Sequence, residues 1–191
     1  MQRHIRATLA THIEIIRQLE ALTADIERLA LRIAATLSSG GRVFWIGNGG
    51  SAADCQHLAA EMVGRFQRER DGLSAIALTT DTSILTSVAN DFGFEAIFAR
   101  QIEALGRPGD LLMGLSTSGN SPNVLAAMQR AADLGLYRAG LTGARGGRLV
   151  EHTDHCLIVP STNTARIQEA HILIGHLLCD LVETRFATAT P

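Results

Sequence analysis

The sequence predicts an α/β protein: a three-layer, doubly wound parallel sheet of five strands, with two extra helices ahead of it. Three observations predict it. Short runs rich in apolar residues recur at 42–46, 74–78, 111–115, 138–142 and 155–159, each the length of a buried strand. Stretches with helical spacing lie between them, and that alternation builds parallel sheets with right-handed crossovers. Turns rich in glycine and serine follow the first and third runs, where open α/β sheets place their ligands.

The N-terminal pair comes first. Residues 3–22 carry Ile5, Leu9, His12, Ile13, Ile16, Leu19 and Leu22 at helical spacing. Thr23 is placed to start a second helix, 24–37, with Ile26, Leu29, Ala30, Ile33 and Leu37 on one face. Gly40-Gly41 ends it. Two amphipathic helices exceed what one sheet face needs, so the pair at 1–39 is expected to pack against another copy of the chain as well as the 42–186 core. No linker or repeat divides 1–191, which reads as a single domain.

The core follows in order. Strand 42–46 runs into Gly47-Asn48-Gly49-Gly50-Ser51, with Ser51 as the expected N-cap of the next helix. Strand 74–78 leads through Thr79-Thr80-Asp81-Thr82 to a helix at 83–89, which Asn90-Asp91-Phe92-Gly93 breaks. A helix at 95–105 and the turn Arg107-Pro108-Gly109-Asp110 precede strand 111–115. Ser116-Thr117-Ser118-Gly119-Asn120-Ser121-Pro122 then opens a helix at 123–134. Strand 138–142, a Gly-rich turn, a short helix near 148–152 and strand 155–159 lead to a long last helix, 164–186. The tail 187–191 is expected to fray.

Composition narrows the chemistry. Of 191 residues, 46% are hydrophobic and 19% charged, as in a folded water-borne protein. A net charge of −2 gives no electrostatic case for nucleic acid, and no apolar run reaches membrane-span length. Met1-Gln-Arg-His-Ile-Arg has no signal-peptide core, and Cys55, Cys156 and Cys179 are odd in number and far apart, so a reducing cytoplasm is expected. The chain has no lysine: all 17 basic residues are arginine. Schiff-base chemistry, pyridoxal phosphate attachment and a lysine-bearing P-loop are therefore excluded.

Four motifs carry the functional reading. The glycine turn at 47–51 can aim backbone N–H groups at an anion beside a helix N-terminus. It also matches a dinucleotide fingerprint, but that fingerprint wants an acidic residue about 20 positions on at the end of the second strand, and the nearest candidate there, Asp81, lies well beyond that spacing. The loop at 116–121 offers four hydroxyls, Ser116, Thr117, Ser118 and Ser121, where a helix cap needs one; that excess suits a phosphate monoester bound without a cation. His57 and Glu61, at i and i+4, share a helix face suited to a metal, a proton path or an ordinary ion pair. In the last helix Gln168, His171 and His176 interrupt an apolar pattern, which is costly unless they are paired or functional. His171 can equally cap or hydrogen-bond within a subunit contact. Gln168 and His176 lie about 12 Å apart along an ideal helix, so both reach one ligand only by leaning inward.

Together these motifs resemble the SIS (sugar isomerase) domain family: Gly47-Asn-Gly-Gly-Ser51 with Asp54, His57 and Glu61; Asn90-Asp91-Phe-Gly93; Ser116-Thr-Ser-Gly-Asn-Ser121; and Arg166-Ile-Gln-Glu-Ala-His171 followed by His176. The likeness covers nearly the whole chain, the N-terminal helices included. It implies a flavodoxin-like fold and a homotetramer with active sites at subunit contacts. It also implies an aldose–ketose isomerase acting on sedoheptulose 7-phosphate through an enediol, as the first step of ADP-heptose biosynthesis. Glu61 and His176 match the catalytic pair. Asn48, Gly49, Gly50, Ser51, Glu61, Asn90, Asp91, Ser116, Thr117, Ser118, Ser121 and Gln168 match substrate-binding positions. His57, Glu61, Gln168 and His176 match the ligands of Zn2+ in zinc-containing members. Ala165 departs from the pattern, since some members carry Asp there to meet a sugar hydroxyl. The same likeness admits two non-catalytic alternatives, a regulator of the kind that binds the DnaA initiator and a sugar-phosphate sensor. The regulator lacks the acid–base pair that this chain keeps.

Overall fold

The computed structural model describes residues 1–187. Among them the strands are β1 (Val43–Gly47), β2 (Ala75–Ala77), β3 (Leu111–Ser116), β4 (Tyr137–Gly143) and β5 (His155–Val159). They pair in parallel in the order β2-β1-β3-β4-β5. The helices are α1 (Gln2–Gln18), α2 (Thr23–Ser38), α3 (Gly50–Val63), α4 (Thr82–Phe92), α5 (Ile97–Leu105), α6 (Pro122–Asp133) and α7 (Thr164–Phe186).

The sheet has two cores because side chains alternate along each strand. Val43 and Trp45 of β1 join Leu29, Ile33, Leu58, Ile174 and Leu178 from α2, α3 and α7. Phe44 and Ile46 join Phe98, Ile102, Val124 and Met128 from α5 and α6. All of β1 and β3 is buried, which is why these strands read as unbroken apolar runs and not as alternation. The three layers and the doubly wound topology are as predicted. The strand order reverses between β1 and β3, so the loops leaving those two strands flank the crevice where such sheets bind ligands.

Several boundaries differ from the sequence expectation. The first helix is not continuous over 3–22: α1 ends at Gln18, and a single 3-10 turn, Leu19–Leu22, joins it to α2. Asn90 and Asp91 do not break a helix but form the last turn of α4, and Gly93, at φ 88°, ends it. A 3-10 turn, Phe94–Ala96, precedes α5. Ser51 is not the N-cap of α3. Gly49, at φ 55°, caps the helix two residues earlier, so Ser51 lies inside the first turn and is buried. Beyond Ala187, the frayed tail expected at 187–191 falls outside the described residues.

The N-terminal pair does not simply cover the sheet. In α1 only Ile15 is buried. Ile5, Leu9 and Ile13, at i, i+4 and i+8, form an apolar stripe exposed by 57%, 57% and 49%. The helix is tethered to α7 beside that stripe: His12 Nδ1 lies 2.6 Å from Glu169 Oε2, and Arg166 pairs with Glu169. No helix among the described residues is long and apolar enough to cross a membrane.

Candidate active site

The site begins with two helices that pack unusually close. A Cβ on Gly175 of α7 would lie 2.5 Å from Leu58 Cδ1 of α3, so only glycine admits this approach. The neighbours of those two residues are brought together as a result. His57 Nε2 of α3 and His176 Nε2 of α7 stand 3.0 Å apart, their rings edge to face at 5.2 Å between centroids. Glu61, one turn beyond His57, places Oε1 3.5 Å from His57 Nε2 with its side chain 22% exposed. A carboxylate and two imidazoles thus face one another at a surface that a ligand can reach.

The same geometry tests the metal expectation. Tetrahedral zinc with donors at about 2.0–2.1 Å spaces its ligands about 3.3–3.4 Å apart. The spacings of 3.0 and 3.5 Å around His57 Nε2 bracket that value. No complete set of three His, Cys, Asp or Glu donors is closed on one point among the described residues. The donor pairs nevertheless fit a zinc site after shifts of a few tenths of an ångström, the His57–His176 spacing opening and the His57–Glu61 spacing closing. Asp54, one turn before His57, faces the same space. Burial raises its carboxyl above the usual range against the pull of His57 and His176, and its Oδ2 is buried without a partner.

Gln168 reaches a different place. Its amide lies against Gly50, where an added Cβ would meet Nε2 at 2.1 Å. Because α3 and α7 run parallel here, Gln168 sits beside the glycine turn and His176 beside His57. No described contact joins Gln168 to the His57, Glu61 and His176 group. His171, which the sequence offered as a cap or subunit contact, is instead fully buried. Burial pushes its imidazole down to about 4 against the opposing Thr142 backbone, and neither ring nitrogen completes a hydrogen bond.

The second loop is built as a cradle. Ser116 is buried at the end of β3, and its Oγ lies 2.9 Å from Ser121 Oγ, across the turn. The Gly119 N–H donates to Ser116 O at 3.0 Å, and the Asn120 N–H to Ser118 Oγ at 3.1 Å. Thr117 and Ser118 occupy the tip of that turn, half-buried and exposed respectively. Ser121 stands at the α6 N-cap position without a side-chain capping bond, followed by Pro122 in the first turn. Gly119, at φ 66°, has no room for a Cβ: the atom would lie 1.9 Å from Gly146 O.

Asn123 joins the two loops, and sequence reasoning passed over it. Asn48 Nδ2 donates to Asn123 Oδ1 at 2.9 Å, and Asn123 Nδ2 donates back to Asn48 Oδ1 at 2.8 Å. Asn48, expected to bind substrate, therefore spends part of its amide on positioning. The pair locks the turn after β1 to the start of α6. Gly49 and Gly50 stay exposed at that turn, while Ser51 is buried beneath it. Asn90 and Asp91 are exposed at the end of α4, where Asn90 Nδ2 donates to Asp91 Oδ1 at 2.7 Å. No described contact joins them to either loop or to Glu61.

Comparison with known proteins gives the family of the chain. Residues 9–143 match the SIS domain. The chain is 58% identical over 167 residues to the phosphoheptose isomerase of Roseiflexus sp. (strain RS-1), a match covering 87% of this chain and 85% of that one. It is 55% identical over 182 residues to the phosphoheptose isomerase of Paramagnetospirillum magneticum, covering 95% of each. The solved structure of phosphoheptose isomerase GmhA from Neisseria gonorrhoeae superposes with a TM-score of 0.91 at 43% identity, over 96% of this chain and 98% of that one.

Proposed function

The chain belongs to the SIS domain family, among its phosphoheptose isomerases, and from that premise we propose that it converts D-sedoheptulose 7-phosphate to D-glycero-D-manno-heptose 7-phosphate. It is an isomerase of the aldose–ketose class. Its working place on this reading is the cytoplasm, and its product enters ADP-heptose formation. The observation that carries the reading is the meeting of Glu61, His57 and His176 across α3 and α7, next to two anion-suited loops.

The residues divide the work. Ser116, Thr117, Ser118 and Ser121, with the α6 N-terminus, hold the phosphate without a lysine. That anchor fixes the far end of a seven-carbon chain and supplies positioning. Glu61 takes a proton from C1, and the electrons move to form the C1–C2 enediol while His176 gives a proton to the C2 oxygen. Glu61 then returns the proton to C2, and His176 takes the C1 hydroxyl proton as the aldehyde forms. Gly49 and Gly50 contribute backbone N–H groups, and Asn48, Ser51, Asn90, Asp91 and Gln168 complete the sugar contacts. On this reading His57, Glu61, Gln168 and His176 would be the residues that hold a zinc ion. Bound there, such an ion supplies Lewis-acid polarisation of the carbonyl oxygen. The apolar stripe on α1 supports self-association of the chain, which this reading takes as a homotetramer with active sites at subunit contacts.

Glu61→Gln tests the assignment. The amide keeps the shape but cannot accept the C1 proton, so kcat is expected to fall at least about 100-fold. Near-UV circular dichroism should be unchanged. A Glu61→Gln protein with wild-type turnover refutes the role of Glu61 as base.

A further inference from the structure

The isomerase reading gives α3 and α7 one catalytic group each and leaves the segment after α3 without a role. That segment is tied down by a charge shut off from water. Glu183 lies on α7 seven residues past His176, two turns along the same face, and is fully buried. Its carboxylate accepts three consecutive backbone N–H groups: Phe66 to Oε1 at 2.8 Å, then Gln67 and Arg68 to Oε2 at 2.7 and 2.8 Å.

A buried arginine extends the arrangement toward Glu61. Arg70, its side chain only 1% exposed, brings Nε to 3.5 Å from Glu183 Oε1. Its Nη2 donates to the Glu61 carbonyl at 2.8 Å, and its Nη1 donates to the carbonyls of Gly64 and Asp71 at 2.9 and 3.0 Å. Phe66, the first of the three N–H donors, stacks its ring on His176 with 5.4 Å between centroids and 25° between planes. The imidazole edge that remains free carries Nε2, which faces His57. A covered ring face resists rotation of the imidazole about its Cβ–Cγ bond. A buried carboxylate is costly unless it is fully compensated, and here the compensation comes from the backbone that carries Phe66.

We propose that Glu183 and Phe66 are positioning residues of the isomerase: the carboxylate fixes the 66–68 backbone so that the Phe66 ring holds His176 facing His57 and Glu61. The inference rests on the catalytic role of His176. A misplacement of about 1 Å at a reacting group can cost about 100-fold in rate, so holding this ring has kinetic consequences.

The test is kcat and KM for sedoheptulose 7-phosphate in Phe66→Tyr, Phe66→Leu, Glu183→Gln and His176→Gln, each compared with wild type by near-UV circular dichroism. Phe66→Tyr keeps the flat ring and is expected to keep wild-type kcat. Phe66→Leu keeps apolar bulk without the ring, and its kcat should fall about 10- to 100-fold with KM unchanged, because the phosphate loop is untouched. Glu183→Gln should lose kcat like Phe66→Leu, and the His176 ring protons should lose their upfield ring-current shift. If Glu183→Gln does not fold, the two Phe66 variants still decide. Wild-type kcat in Phe66→Leu, or equal losses in Phe66→Leu and Phe66→Tyr, would overturn the proposal while an inactive His176→Gln leaves the site reading intact. An active His176→Gln would overturn the site reading and the proposal with it.

Discussion

Gly119 and Asn123 show what a single residue does in this site. Gly119 combines φ 66° with a Cβ position 1.9 Å from Gly146 O. Alanine there costs about 1–2 kcal/mol for the left-handed backbone, and the clash adds to it. Gly119→Ala should therefore lower the melting temperature and raise KM for the sugar phosphate more than it lowers kcat; an unchanged KM would contradict the cradle role of the loop. The glycines at 47–51 and the hydroxyls at 116–121 were legible because few other residue types bind an anion in that way. Asn123 and Glu183 were not. Their roles depend on partners 75 and 117 positions away along the chain, and nothing local marks them. A weak signal existed for Glu183, an acid seven residues from His176 on the apolar side of the last helix.

At the scale of elements, the site is the product of α3 lying parallel to α7 over Gly175. Strand positions were legible to within a residue or two at each end, since a buried parallel strand is a short apolar run. The end of α4 was not, because Asn90 and Asp91 read as turn residues although Gly93 alone stops the helix. Glu183 gives the α3–α7 contact an acid limit. Burial pushes its carboxyl up, but the N–H groups of Gln67, Phe66 and Arg68 and the Arg70 charge outweigh it and hold it below its ordinary 4.5. A carboxyl lowered by folding stabilises the fold above its unfolded value, and that share is lost as pH falls through the lower folded value. The urea midpoint of the wild type should thus drop on acidification below pH 4.5, and Glu183→Gln should flatten that limb. Parallel curves for the two proteins would show that the carboxylate contributes no such stability.

The whole molecule carries a feature that its own chain does not explain, the exposed stripe of Ile5, Leu9 and Ile13 on α1. The surplus of N-terminal helix was legible in the sequence; what covers it was not, because a partner leaves no periodicity of its own. The proposed tetramer would bury the stripe and bring other copies to the site, which suits the isolation of Asn90 and Asp91 in one chain. Sedimentation should give four times the 20.4 kDa chain mass for the wild type. Leu9→Asp should shift it to smaller species with reduced kcat/KM, whereas a wild-type protein sedimenting as the monomer would remove the tetramer from the account. The measurement that tests the central claim most directly is proton NMR of the protein with sedoheptulose 7-phosphate in D2O, before and after chelation. The account predicts a new aldose 7-phosphate carrying deuterium at C2, the mark of a proton moved through an enediol by a base that exchanges with solvent. A folded, metal-loaded protein that leaves the ketose unchanged would contradict it.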